Sequence, residues 1–297
     1  MKNASSLLGK ARAALPDLRH DSATLRRWAR WGAVELPDWF VRSSPTVVGC
    51  AFALGLPAMR HRISDNLRWV GANGSMRQTL GVFSKYAHSL AESFAAGSGR
   101  NDRIVGRVVG DANFQKARAL GRGVVIATAH TSGWYAAGPI LGSVYTDEVL
   151  VVMENERDAA AQQLQDQAKE NLGLKVVHVG SDPLAAMPLL SHLRKGGVVA
   201  LQMDRVPKGQ RGVEVSMCGR PFQVPEGPIA LAALAGAPIL AIFGRRLGYL
   251  EYELEVGEAI VLPRKPSRDE LARAAQDFAT QIERFVQRYP TDWFHFG

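Results

Sequence analysis

Residues 124–141 read VVIATAHTSGWYAAGPIL. An apolar run ends in His130, and a Gly-Trp-Tyr turn leads into a run of small residues that favours a helix. This order of strand, turn and helix is the repeating unit of α/β domains. It leaves an ionisable ring where the strand stops, and such domains bind their ligands beyond the carboxyl ends of their strands.

The same alternation of strand and helix continues along the chain after Arg103. The apolar runs are residues 123–129, 149–153, 174–179, 198–203 and 238–243. Residues 250–256 alternate apolar and charged side chains, as an edge or antiparallel strand does. The pattern predicts an α/β fold with a mostly parallel central sheet flanked by helices.

The first third of the chain lacks this alternation and reads as helical. In residues 74–94 the apolar side chains fall near one helical stripe, and a polar Gly/Ser break follows at residues 95–103. We therefore expect residues 1–100 to form a helical, basic, membrane-proximal region. Residues 101–297 are expected to form the α/β domain, with the two regions making one continuous structural unit.

The charge of the protein is uneven. Residues 1–72 hold eleven Lys or Arg residues against five Asp or Glu residues, which accounts for most of the net charge of +8. A basic face of this kind fits an anionic partner, such as a membrane surface or an acidic carrier protein, or it is a solvated basic surface. No nucleic-acid-binding motif accompanies the charge, so we expect no nucleic-acid partner.

Tryptophans stand among these basic residues. Trp28, Trp31 and Trp39 lie within the arginine-rich segment, a composition typical of interfacial membrane contacts. The apolar run 45–59 is shorter than the roughly 20 residues that span a bilayer. No cleavable signal peptide is evident. We expect a peripheral or monotopic protein.

His130 is the candidate general base, because an imidazole can take a proton from a hydroxyl near neutral pH. The alternative is a histidine that caps the following helix. Ser132 lacks the Gly-x-Ser-x-Gly setting of a nucleophile elbow, and no second histidine follows His130 at zinc-ligand spacing. The glycines form no dinucleotide or phosphate-loop fingerprint, so we expect neither a cofactor nor a metal.

Several stretches resemble one known family in order and spacing. Residues 129–138, AHTSGWYAAG, are similar to the His-x4-acid block of the bacterial lipid A biosynthesis acyltransferases, which are related to glycerophospholipid acyltransferases. Residues 63–70, residues 196–246 and the close RYPTDWFHF at 288–296 resemble further blocks of the same family. The resemblance covers roughly residues 60–297.

The resemblance implies a mechanism and a location. An acyl thioester, on acyl carrier protein or CoA, donates a fatty chain to a hydroxyl or amine of a lipid A-like or other lipid acceptor. The histidine removes the acceptor's proton, and an acid orients the histidine. The site lies at the cytoplasmic face of the bacterial inner membrane. The expected substrate-binding residues are Arg157, Arg205, Arg220, Glu226 and Arg245.

The sequence departs from the family pattern at Tyr135, where the acid of the His-x4-acid block is expected. A neutral phenol does not offset imidazolium charge. Three interpretations follow: Glu154 or Asp204 from the same sheet edge supplies the acid, Tyr135 itself suffices, or the chain binds lipid or acyl carrier without catalysis. Glu226 also fits the start of a helix, and Arg220 fits a hairpin turn. Trp293 and Phe294 are expected to be core anchors.

Overall fold

The computed structural model describes residues 23–98, 104–145, 149–154, 159–179 and 183–296. The helices are α1 (Ala23–Glu35), α2 (Asp38–Gly55), α3 (Pro57–Trp69), α4 (Met76–Ala96), α5 (Asp111–Ala119), α6 (Ala137–Tyr145), α7 (Ala159–Glu170), α8 (Met187–Arg194), α9 (Glu226–Ala235) and α10 (Arg268–Arg288). The strands are β1 (Val105–Val109), β2 (Val124–Thr128), β3 (Val149–Met153), β4 (Lys175–His178), β5 (Val198–Gln202), β6 (Gly212–Met217), β7 (Arg220–Pro225), β8 (Ile239–Gly248) and β9 (Glu251–Ile260).

Seven strands form one mixed sheet in the order β1-β9-β8-β2-β5-β3-β4. Strands β8, β2, β5, β3 and β4 run parallel, β9 is antiparallel to β8, and β1 is parallel to β9. The predicted α/β class with a mostly parallel sheet is therefore confirmed. The chain visits β3 and β4 before β5, yet β5 lies between β2 and β3. This crossover decides which side chains meet at the site.

The structure refines the strand predictions. Strand β8 extends to Gly248, five residues beyond the predicted run. Strand β9 is antiparallel, one of the two possibilities that its pattern gave, and β1 covers its outer side. Strands β6 and β7 pair as a separate antiparallel hairpin.

The central strand β2 is buried along its whole length. Val125 and Ala127 face a core cluster that includes Phe278 of α10, whereas Val124 and Ile126 face a second cluster on the opposite side of the sheet. Successive side chains of a strand point to opposite faces, so a strand covered on both sides reads as a continuous apolar run.

The long helices α4 and α10 both begin with capping boxes. Ser75 pairs with Gln78 at the start of α4, and Ser267 pairs with Glu270 at the start of α10. The spacing of Ser267 and Glu270 is itself a sequence signal for a helix start.

The described N-terminal helices pack against the α/β part of the chain. Trp69 of α3 donates its indole N–H to the Met217 carbonyl at 3.0 Å. Glu92 of α4 pairs with Arg246 of β8 at 2.6 Å. The expected boundary near residue 100 falls outside the described residues.

Candidate active site

Strand register brings His130 and Asp204 together. Thr128 at the end of β2 pairs with Gln202 at the end of β5, and each ionisable residue follows two positions later. The Nδ1 atom of His130 lies 2.7 Å from Oδ1 of Asp204. Because an ionised carboxylate only accepts, Nδ1–H donates this bond and the lone pair of Nε2 is left for other chemistry.

Asp204 is fully buried, and both of its oxygens are used. The indole Nε1–H of Trp293 donates to Oδ2 at 3.0 Å. Burial alone raises the pKa of Asp204, but the His130 ring, the Arg205 guanidinium and the Trp293 indole outweigh it and hold this pKa well below its usual range. The carboxylate is therefore ionised and fixed in orientation.

The C-terminal segment 290–296 fixes the loop that carries His130. The N–H of Ser132 donates to the Asp292 carbonyl at 2.8 Å, and the N–H of Phe294 donates to the His130 carbonyl at 2.7 Å. The carboxylate of Asp292 pairs with Lys85 of α4 at 2.5 Å. The sequence identified Trp293 as a core anchor, which its burial bears out, but not as the partner of Asp204.

A cavity of about 550 Å³ adjoins His130, whose side chain is 31% exposed. Ile126 and Thr128 of β2 line it together with His130, as do Ala200 and Gln202 of β5. Strand β3 and helix α6 supply further apolar lining. Pockets of about 300–1,000 Å³ with apolar walls and a few polar groups are typical of small-ligand sites.

Guanidinium groups also border this cavity. Arg26, Arg62 and Arg205 line it. The Nη2 atom of Arg205 donates to the Phe294 carbonyl, while its Nε atom is buried and makes no hydrogen bond within the described chain. These cations suit an anionic group near His130.

Tyr135 belongs to a buried chain of hydrogen bonds. The hydroxyl of Tyr252 donates to the Glu92 carboxylate, so its oxygen accepts from the hydroxyl of Tyr135. Burial and the neighbouring Tyr252 and Glu92 raise the pKa of Tyr135 far above its usual range. Tyr135 lines the cavity as a neutral phenol and does not supply the missing negative charge.

Glu154 does not contact His130 in the described part of the chain. It is exposed at the end of β3, and its carbonyl accepts a bond from His178 at 3.3 Å. Because β5 separates β2 from β3, Glu154 lies two strand spacings from His130, or about 10 Å. Of the two candidate acids, only Asp204 follows a strand next to β2.

The structure places Arg245 away from the cavity. Because β8 continues through residues 245 and 246, these side chains point to opposite faces. Arg245 pairs with Glu253 at 2.5 Å, and its guanidinium lies over the ring of Tyr289, 4.4 Å from the ring centroid. The expected anion contact is thus replaced by a structural ion pair.

The remaining expected binding residues are dispersed. Arg220 begins β7 beside the hairpin turn and is exposed, and Glu226 is the first residue of α9. Neither lines the cavity beside His130. Arg157 lies outside the described residues.

His295 stacks on Trp293 at 4.6 Å between ring centroids. Burial lowers the pKa of His295 to about 4, against the opposing effect of Asp204. This second imidazole is therefore neutral at pH 7. It does not form an ion pair with Asp204, whose histidine partner is His130. Its Nδ1 atom is buried without a hydrogen-bond partner in the described ranges.

Among the described residues, no group of three or more His, Cys, Asp or Glu side chains is arranged to hold a metal ion. No single described helix is long and apolar enough to cross a bilayer, whereas α2 and α3, which meet at a bend of 103°, have the length and composition for it as a pair.

The sequence profile of the bacterial lipid A biosynthesis acyltransferase family matches residues 60–297. With the fold and the histidine site described above, this match identifies the class of protein: the chain belongs to that family.

Curated relatives come from Mycobacterium tuberculosis. The phosphatidylinositol mannoside acyltransferases of two strains are each 28% identical over 201 residues, which is 65% of this chain and 58% of theirs. The chain thus matches less than two thirds of their length. A solved structure, the 1-acyl-sn-glycerophosphate acyltransferase PlsC from Thermotoga maritima, aligns with a TM-score of 0.37 and 13% identity, over 81% of this chain and 95% of that one.

Proposed function

We propose that the protein transfers a fatty acyl chain from a thioester to a hydroxyl or amine of a lipid. The observation that carries the proposal is the 2.7 Å contact between His130 and a buried, ionised Asp204 at the edge of a largely apolar cavity. A charged acid behind an imidazole is the arrangement that makes the ring a base. Membership of an acyltransferase family supports this chemistry.

The side chains of His130 and Asp204 account for every proton transfer in the proposed reaction. Nε2 of His130 takes the proton of the acceptor hydroxyl as its oxygen forms a bond to the thioester carbonyl carbon. The carbon–sulfur bond then breaks, and the imidazolium returns the proton to the departing thiolate. Asp204 holds the Nδ1–H tautomer and stabilises the transient positive charge.

The cavity accounts for both halves of the substrate pair. Its apolar lining from β2, β3 and β5 fits a fatty chain, whose burial is worth about 0.8 kcal/mol per methylene. Arg26, Arg62 and Arg205 at the same cavity fit phosphate groups of the acceptor or of the donor's phosphopantetheine.

The geometry favours catalysis over a binding role without turnover. A non-catalytic lipid- or carrier-binding protein predicts no carboxylate within reach of His130, because Tyr135 replaces the family's acid. Asp204 lies within hydrogen-bond distance and is oriented by a second donor. The adjacent strand thus provides the charge that residue 135 lacks.

The membrane is proposed as the place of action. Trp28, Trp31 and Trp39 are 73%, 60% and 70% exposed beside arginines, a combination that binds anionic lipid surfaces. We propose a peripheral or monotopic position at the cytoplasmic face of the bacterial inner membrane. Acyl carrier protein or acyl-CoA would bring the donor chain from solution.

Acyl transfer by the purified protein tests the proposal. Donors are acyl carrier protein and CoA thioesters, and acceptors are a lipid A precursor and phosphatidylinositol mannoside, the lipid named for the mycobacterial relatives. We expect His130→Ala to abolish transfer. His178→Ala is the matched control, because His178 also pairs with an aspartate, Asp166, at 2.8 Å. Equal rates for His130→Ala and the unaltered protein would refute the assignment, and release of free fatty acid alone would indicate a thioesterase.

A further inference from the structure

A second, almost wholly apolar groove lies among the N-terminal helices. It has a volume of about 430 Å³ and is lined by α1, α2 and α4 together with Met59 of α3 and Phe296. Small residues on facing helices leave the space, among them Ala29 and Gly32 of α1 and Ala87 and Ala91 of α4. The volume falls within the range of about 300–1,000 Å³ that is usual for small-ligand sites.

The groove adjoins the cavity beside His130. Four residues line both spaces: Arg26, Met59, Tyr86 and Phe296. The two spaces therefore share a border, so a headgroup attached to a chain in the groove would lie near the cavity beside His130. Arg26 is the shared cationic residue, and it lies where an apolar chain in the groove would meet a polar group at the site.

The rim of the groove carries large exposed apolar side chains. Trp28, Trp31 and Val48 line the groove, yet they are 73%, 60% and 46% exposed. Arg27 and Arg30 are exposed on the same helix as the two tryptophans. Exposed indoles beside guanidinium groups match the interface of an anionic bilayer, from which a lipid chain can enter the groove sideways.

We infer that the groove holds a hydrocarbon chain of the acceptor lipid, with the lipid's anionic headgroup directed past Arg26 towards His130. The inference rests on the proposed function and assigns its second substrate a separate site. The donor chain fits the cavity under β2 and β5, which is walled by the sheet itself. The acceptor, a bilayer component, fits the groove whose rim faces outward.

Filling the groove tests the inference. Ala87→Phe places a ring in the groove from α4. The matched control is Ala51→Phe, which adds the same ring at an exposed position of α2 that does not line the groove. The direct probe is decyl phosphate at concentrations below micelle formation, with inorganic phosphate as the chain-free comparison. Binding is followed by calorimetry on the full-length protein.

We expect Ala87→Phe to weaken decyl phosphate binding at least tenfold and Ala51→Phe to leave it within twofold. In acyl transfer, Ala87→Phe should raise KM for a long-chain acceptor but not for a short-chain one. Unchanged decyl phosphate binding in Ala87→Phe would overturn the inference. A raised KM for the donor in place of the acceptor would overturn it as well. If decyl phosphate binds in the groove but the protein transfers no acyl chain, the proposed function is wrong and the lipid-chain site is retained.

Discussion

The indole of Trp293 and the carboxylate of Asp204 form a hydrogen bond of 3.0 Å across 89 positions of sequence. The bond engages the oxygen of Asp204 that His130 does not contact. The chain's last described turn therefore sets the angle of the acid, and through it the ring of the proposed base. Second partners of this kind fix the orientation of catalytic groups.

Trp293→Phe should keep the packing and lose the bond. We expect turnover to fall by about tenfold, and the acid limb of the pH–rate profile to move to higher pH because Asp204 is less neutralised. Trp69→Phe is the control: Trp69 packs against Trp293, but its N–H binds the Met217 carbonyl. If the pH–rate profiles of Trp293→Phe and the unaltered protein superimpose, Trp293 contributes packing alone and does not orient Asp204.

Asp204→Asn should retain the fold and remove the charge behind His130. In serine proteases the equivalent loss lowers turnover by about 10⁴, and we expect a decrease of similar order here. Glu154→Gln should change the rate by less than about twofold, since Glu154 lies two strands away. Steady-state rates with one donor and one acceptor decide between the two acids. A larger effect of Glu154→Gln would contradict the strand-order argument.

Replacing Tyr135 by the family's acid should not improve the enzyme. Tyr135→Asp places a carboxylate without a cationic partner at a buried position, so we expect a loss of about 3–5 kcal/mol of unfolding free energy and no gain in rate. Tyr135→Phe leaves Tyr252 bonded to Glu92 and should cost only about 0.5–1.5 kcal/mol. Denaturant unfolding and acyl-transfer rates measure both. Faster transfer by Tyr135→Asp would show that Asp204 is an incomplete substitute.

His295 should make stability depend on pH in a defined window. Its pKa is about 4 in the folded protein against about 6.5 when unfolded, so the unfolded state binds more protons between these values. The contribution of His295 to the free energy of unfolding is therefore fully present above about pH 6.5. It is lost as the pH drops towards 4, by at most about 3 kcal/mol.

Substitution of His295 checks this dependence. His295→Phe retains an aromatic ring against Trp293. Its thermal stability should fall much less than that of the unaltered protein between about pH 7 and about pH 4.5. His61→Asn, at an exposed histidine, should leave the loss intact. If the thermal stability of His295→Phe still falls steeply over this pH range, the pH dependence arises from other groups.

The sequence was sufficient for the sheet class and for placing His130, because apolar runs and their polar ends are local signals. It could not choose between Glu154 and Asp204, since that choice depends on β5 inserting between β2 and β3. Arg245 was misplaced for a related reason: a strand that continues past its apolar run still alternates its side chains.

Contacts between distant segments were also beyond local patterns. The bond from Trp293 to Asp204 joins residues that no periodicity relates. The chain of Tyr135, Tyr252 and Glu92 draws on three separate elements. A signal for Trp293 was nevertheless present, because a tryptophan fully inside a protein needs a partner for its N–H.

The ion pair between Glu92 and Arg246 bears on how the protein can be shortened. Glu92 is wholly buried and also accepts from Tyr252. A truncation that removes helices α1 to α4, made to obtain a fragment free of the tryptophan-rich surface, would leave Arg246 and the edge-to-face pair Tyr135 and Tyr252 without the carboxylate of Glu92. The fragment would lose this ion pair, and Phe294, which packs against Val82 and Phe83 of α4, would become exposed. Because a domain is stable by only about 5–15 kcal/mol, we expect such a fragment not to fold. Helices α1 to α4 and the α/β part of the chain are thus held together as one body, and we expect that the two cannot be prepared apart.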